Sequence, residues 1–158
     1  MHFLSSGFIL LFSISIHAQE LSILDKNVSV TIADGYGWSP KATAPNNWMS
    51  IKDNGYKLLL IAIDQKIADP ENACKAALQG LAAKKPELKR GEYEKVDFLK
   101  RKSTSVFYEI PQGDDSTRGR IYSFAHGTFC MVVMVQSMIT DPDEDEEIQT
   151  IIKTIQVK

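Results

Sequence analysis

Histidine and cysteine are scarce in this sequence. Of its three histidines, His2 and His17 fall within the first 18 residues, leaving His126 alone in the remainder. The two cysteines, Cys74 and Cys130, do not form a Cys-x-x-Cys pair. Two cysteines and one histidine are too few for the usual zinc site, so no metal and no cofactor is expected. Any serine-histidine-carboxylate arrangement has to use His126. Ser123 and Ser137 lie near it in sequence, but neither sits in a Gly-x-Ser-x-Gly elbow. His126-Gly127 reads as a turn, where an exposed histidine is ordinary. No catalytic residue is assigned.

Charge is missing from residues 1–18, which hold no Lys, Arg, Asp or Glu. The apolar run from Gly7 through Ile16 ends in His17-Ala18 and is shorter than the ~20 residues a membrane-spanning helix requires. Its place and its small terminal residue match a cleaved secretory peptide, with residues 1–18 removed and 19–158 left as one domain. An uncleaved anchor and a buried N-terminal strand are the competing readings. No later segment is apolar enough to span a bilayer, and no cysteine follows the cleavage point to carry a lipid. The expected location is therefore periplasmic or secreted.

The net charge is −2, which argues against a nucleic-acid partner. The distribution is less even. Lys84, Lys85, Lys89, Arg90, Lys95, Lys100, Arg101 and Lys102 crowd one stretch, and Asp141, Asp143, Glu144, Asp145, Glu146 and Glu147 crowd another. The acidic run resembles a calcium loop only superficially. It lacks the required Gly and the spaced final Glu, and helix-dipole complementarity already accounts for carboxylates in a first helical turn.

The chain shows no repeat and no low-complexity linker. Val28, Val30 and Ile32 alternate with Ser29 and Thr31 as a strand. Asp34 to Pro40 breaks it, and Ala44-Pro45-Asn46-Asn47 predicts an irregular stretch. Trp48–Ile51 and Tyr56–Ile63 flank Asn54-Gly55, a hairpin signal. Leu58 to Ile63 is apolar on both faces and reads as a central strand. Asp69-Pro70 then opens a helix that carries Cys74, Ala77, Leu78 and Leu81 on one face. Alternation returns at Val96 and Phe98, at Thr104 to Ile110, and in a hairpin about His126-Gly127 whose second arm is apolar throughout. A last helix is predicted with Asp141 as cap, Pro142 at its first position and an Ile148, Ile151, Ile152, Ile155 stripe. The order β-β-β-α-β-β-β-β-α describes an α+β domain, an antiparallel sheet of six to seven strands covered by two amphipathic helices.

This element order, the Gly35-Tyr36-Gly37-Trp38 that follows the first strand and the closing amphipathic helix resemble the Mog1/PsbP-like superfamily, which includes small exported bacterial domains of the DcrB-like kind. The resemblance implies a binding or assembly role without catalysis, and it carries over no catalytic residue.

Two surfaces are candidates for binding. Tyr36, Trp38 and Trp48 are aromatics in Gly, Pro and Asn-rich loops, placed either to anchor a ligand or to plug the end of the sheet. Lys84, Lys85, Lys89 and Arg90 either meet an acidic partner or anionic lipid heads, or form a solvated helix end and strand edge. Cys74 and Cys130 read as a disulfide in an oxidising compartment, or else as two buried thiols. The function expected is a non-enzymatic exported accessory or assembly domain with a protein partner in the envelope. An immunity-type inhibitor of a periplasmic toxin and a secreted hydrolase are the alternatives.

Overall fold

A computed structural model describes residues 18–23, 28–33, 37–44, 46–52, 55–64 and 66–157. The expected secretory segment lies outside the described residues except at Ala18, as do Tyr36 and Asn54.

The elements run β1 (Ala18–Ile23), β2 (Val28–Ala33), β3 (Ser39–Ala44), β4 (Asn47–Lys52), β5 (Lys57–Asp64), α1 (Pro70–Lys84), β6 (Lys89–Phe98), β7 (Arg101–Gln112), β8 (Asp115–His126), β9 (Phe129–Ser137), α2 (Glu146–Thr154) and β10 (Ile155–Val157). Seven strands form one sheet in the order β3-β4-β5-β9-β8-β7-β6, and β1-β2-β10 form a second. Every strand pairing is antiparallel. This is an α+β fold. The seven strands and two helices expected from sequence are all present, and β1, β3 and β10 are additional.

The stretch expected to be irregular contains β3, with a register shift between Ala42 and Ala44. Pro40 is compatible with a strand here because β3 is an edge, where a missing amide donor leaves no ladder bond broken. The β4–β5 hairpin closes through Gly55 at φ +98°, a conformation that favours glycine.

The large sheet has two unlike faces. On one, Trp48, Leu59, Ile61, Phe124, Val133 and Val135 meet the Ile148, Ile151, Ile152 and Ile155 stripe of α2. On the other, Val106, Tyr108, Ile121, Cys130 and Val132 meet Ala73, Cys74 and Leu78 of α1. Each large aliphatic buried this way stabilises the fold by about 1.5–3 kcal/mol. Helix α1 starts where the sequence places it. The Asp69 carboxylate accepts from the Asn72 amide at 2.8 Å, and Pro70 takes the first position.

The start of α2 corrects the sequence expectation. Asp145, not Asp141, is the cap, and its carboxylate accepts from the Glu147 and Ile148 amides. Asp141 instead closes a separate turn, with its carbonyl accepting from the Glu144 amide at 3.0 Å and its carboxylate from the Asp143 amide at 2.9 Å. The reason is tertiary. Asp145 pairs with Lys57 at 2.9 Å and Asp143 pairs with Arg120 at 2.8 Å, so two strands fix where the chain can begin to coil.

Candidate functional site

Trp38 and Trp48 take the second of their two expected roles. They are 9% and 3% exposed and belong to the core that α2 covers. Trp48 lies opposite Ile61 in the β4–β5 ladder, on the face turned toward α2, which withdraws its ring from any external ligand. The expected disulfide is not formed either. Cys74 and Cys130 are free, buried thiols in the core beneath α1. Burial, helped by the Glu71 charge, pushes the Cys74 thiol up to about 12. Burial also raises Cys130, with Asp69 and Asp64 acting in the same direction.

His126 stands at the β8–β9 turn with its ring 5.1 Å from Phe129. Ser137 lies at the far end of β9, where its hydroxyl accepts from the Ile139 and Thr140 amides. Ser123 is fully buried. Among the described residues neither serine hydrogen-bonds His126, as a nucleophile and its base would.

The basic stretch divides in two. Lys95 pairs with Glu71 at 2.9 Å and Lys102 with Asp97 at 2.9 Å. Lys84, Lys85, Lys89 and Arg90 are exposed around the C-terminal end of α1 and the first residues of β6. Among the described residues these four make no ion pair. The Arg90 guanidinium lies 5.5 Å from the Tyr93 ring centroid, as does the Lys75 ammonium. The acidic stretch is spent differently. Asp143, Asp145 and Glu147 all engage cations of the sheet, while Glu144 and Glu146 face solvent.

The feature that sequence reasoning missed is a groove beside α1. Strand register aligns three rows across β4, β5 and β9 on the α1 face: Ile51-Leu58-Gln136, Met49-Leu60-Met134 and Asn47-Ala62-Val132. Eight of these nine residues are half-buried, whereas Leu59, Ile61, Val133 and Val135 on the opposite face are fully buried. Helix α1 lies over β7, β8 and β9, so β5 and β4 on this face have no helix above them among the described residues. Between α1 and these strands runs a groove of about 430 Å³. Its sheet side includes Leu60, Ala62 and Met134, its helix side Ala76, Gly80 and Leu81, and Lys84 closes one end.

Gly80 lies on the groove side of α1. Within a helix it costs about 1 kcal/mol relative to Ala, and a Cβ placed there would meet nothing within 4 Å. Among the described residues, no packing requires the missing side chain. Two sequence signals pointed here. One is a strand apolar on both faces. The other is the set Ala73, Ala76, Ala77 and Gly80, which shares one helix face and is too small to cover such a strand.

No family model matches the sequence, and no curated protein does. Solved structures do. Cyanobacterial PsbP (CyanoP) from Synechocystis sp. PCC 6803 superposes with a TM-score of 0.64 at 11% identity, over 97% of this chain and 99% of that one. The chain has the Mog1/PsbP-like fold. A variant of the protein Mog1 aligns at a TM-score of 0.58 and 5% identity, over 90% of this chain and 96% of its own. A Bacteroides thetaiotaomicron VPI-5482 protein gives 0.59 at 8% identity, over 88% of this chain and 48% of that one. Within this Mog1/PsbP-like fold, the half-open α1 face presents Leu60, Ala62 and Met134 to a groove that another molecule can enter.

Proposed function

We propose that this chain is a non-catalytic binding domain, exported and matured to residues 19–158, that serves as an accessory or assembly factor for a protein of the cell envelope. The observation that carries the reading is the half-open sheet face beside α1. Apolar side chains of β4, β5 and β9 stay partly wet there, and a partner that covers them gains roughly 25 cal/mol for each Å² removed from water. Export rests on the charge-free apolar segment ending at Ala18. Cleavage after Ala18 removes only the first residue of β1 and leaves Gln19–Ile23 in place.

Two measurements test the reading. The intact mass of protein recovered from the host's envelope fraction should correspond to a chain beginning at Gln19, and a mass retaining residues 1–18 overturns maturation. A photo-crosslinking residue at position 60 in living cells should give a discrete protein adduct, while one at position 153, on the exposed side of α2, should not. Equal labelling from both positions, or none from position 60, overturns the binding face.

A further inference from the structure

We infer that the partner presents an amphipathic helix, acidic in its first turn, which lies antiparallel to α1 in the groove across β5 and β4. This deepens the binding-domain reading and rests on it. The argument begins with layer geometry. Seven strands at ~4.8 Å spacing make a sheet roughly 30 Å wide, and packed helices sit about 8–10 Å apart. One face of such a sheet needs about three helices to cover it. On this face α1 covers β7, β8 and β9. The next position at helix spacing falls over β5 and β4, where the rows Met49-Leu60-Met134 and Ile51-Leu58-Gln136 stand half-buried.

The side of α1 that borders this position is built for close approach. Ala73, Ala76, Ala77 and Gly80 line the groove, and the site of a Gly80 side chain is open space. Small residues let a neighbouring helix backbone come near, as ridges entering a shallow groove.

Charge sets the direction. Lys84 lines the groove at the C-terminal end of α1, and Lys85 follows it, exposed and without an ion pair among the described residues. At the opposite end the Asp64 carboxylate is occupied, accepting from the Lys66 and Ile67 amides at 2.8 and 3.2 Å. A free positive end favours carboxylates. Carboxylates sit best in the first turn of a helix, where they complement its dipole. A helix whose first turn lies over Lys84 and Lys85 runs antiparallel to α1, so the two dipoles also oppose favourably. Recognition of an apolar helix face in a groove is an established binding mode.

The test uses two synthetic helical peptides as probes. Both carry Leu and Ala at i, i+3, i+4 and i+7, one with Glu and the other with Lys in the first turn, and both are titrated into the purified protein by fluorescence anisotropy. The Glu peptide should bind at least about fivefold more tightly at low ionic strength, with the advantage shrinking as salt is added. Lys84→Glu with Lys85→Glu should reverse the preference. Gly80→Leu should abolish binding of both peptides without lowering the melting temperature, since the new side chain enters open space. Equal affinity for the two peptides, or binding unchanged by Gly80→Leu, overturns the inference. So does a self-associated protein that Gly80→Leu turns into monomer, because the occupant is then a second copy of this chain. If position 60 crosslinks a partner while neither peptide binds, the binding domain stands and the acidic helix is refuted.

Discussion

The Lys57 ammonium lies 2.9 Å from the Asp145 carboxylate, with 9% and 3% of the two side chains exposed. The same carboxylate caps α2 and accepts the Thr140 hydroxyl at 2.9 Å. One residue therefore ties the start of β5 to the start of α2, and it sets the helix boundary that local sequence signals place four residues earlier.

Asp145→Ala is expected to cost about 2–4 kcal/mol, because it removes a helix cap and leaves the buried Lys57 ammonium with only the more exposed Glu147 carboxylate. Lys102→Ala should cost under about 1 kcal/mol, since the Lys102–Asp97 pair is 91% and 66% exposed. Urea unfolding of both variants checks the contrast, and equal losses would show that burial is not what gives the Lys57 pair its strength.

The pH dependence follows from the same cluster. Burial opposes ionisation of Asp145, but bonds from Lys57, the Ile148 amide and Thr140 outweigh it and hold its carboxyl below the usual range. Bonds from Lys52 and Lys57 lower Glu147. Folded values depressed in this way give stability that is present above the ordinary carboxylate range near pH 4 and is lost as pH falls through the lower folded values. Lys57 is raised despite its burial, through Glu147 and Asp145, so its contribution disappears only in alkali. The urea midpoint should be level from about pH 5 to 9 and decline below about pH 4. Asp145→Asn should flatten the acid decline, and an unchanged decline would remove Asp145 from the explanation.

Tyr108 lies across the backbone of Gly119, so that an added Cβ would stand 2.1 Å from its Cζ. The ring is fully buried, and its hydroxyl donates to Gln136 at 3.1 Å. Gly119→Ala is expected to lose about 1–3 kcal/mol through overpacking. Combined with Tyr108→Leu, the loss should be less than the sum of the two single changes, and strict additivity in that double-mutant cycle would contradict the contact.

Cys74 and Cys130 should fail to react with a thiol reagent in the folded protein, because burial keeps both thiols protonated and out of reach. Two thiols should titrate on denaturation without reductant. A count of zero would establish the disulfide in the native protein.

Much of the fold was legible from short-range pattern. Period-two alternation found β2, β6 and β7, turn signals with apolar runs found β4, β5, β8 and β9, and the Asp69-Pro70 pair found α1, because these signals depend on neighbours in sequence. Strand β10 was not legible. Its pairing with β2 joins residues from the two ends of the chain, such as Ile155 with Val30, and no local pattern records it.

The sequence by itself determined the α+β class, the sheet's central strands, the apolar stripe of α2 and the poverty of catalytic groups. Each of these is a property of residue type and spacing. Tertiary structure alone decided which face of each strand is dry. Leu58 to Ile63 reads as uniformly apolar, yet Leu59 and Ile61 lie under α2 while Leu58 and Leu60 stay half-open, because α1 settles over β7, β8 and β9 instead. It likewise turned Trp38 and Trp48 inward and drew Lys57 onto Asp145. Burial and pairing depend on what lies across space, so a groove formed where a helix fails to cover a strand becomes visible only in the folded chain.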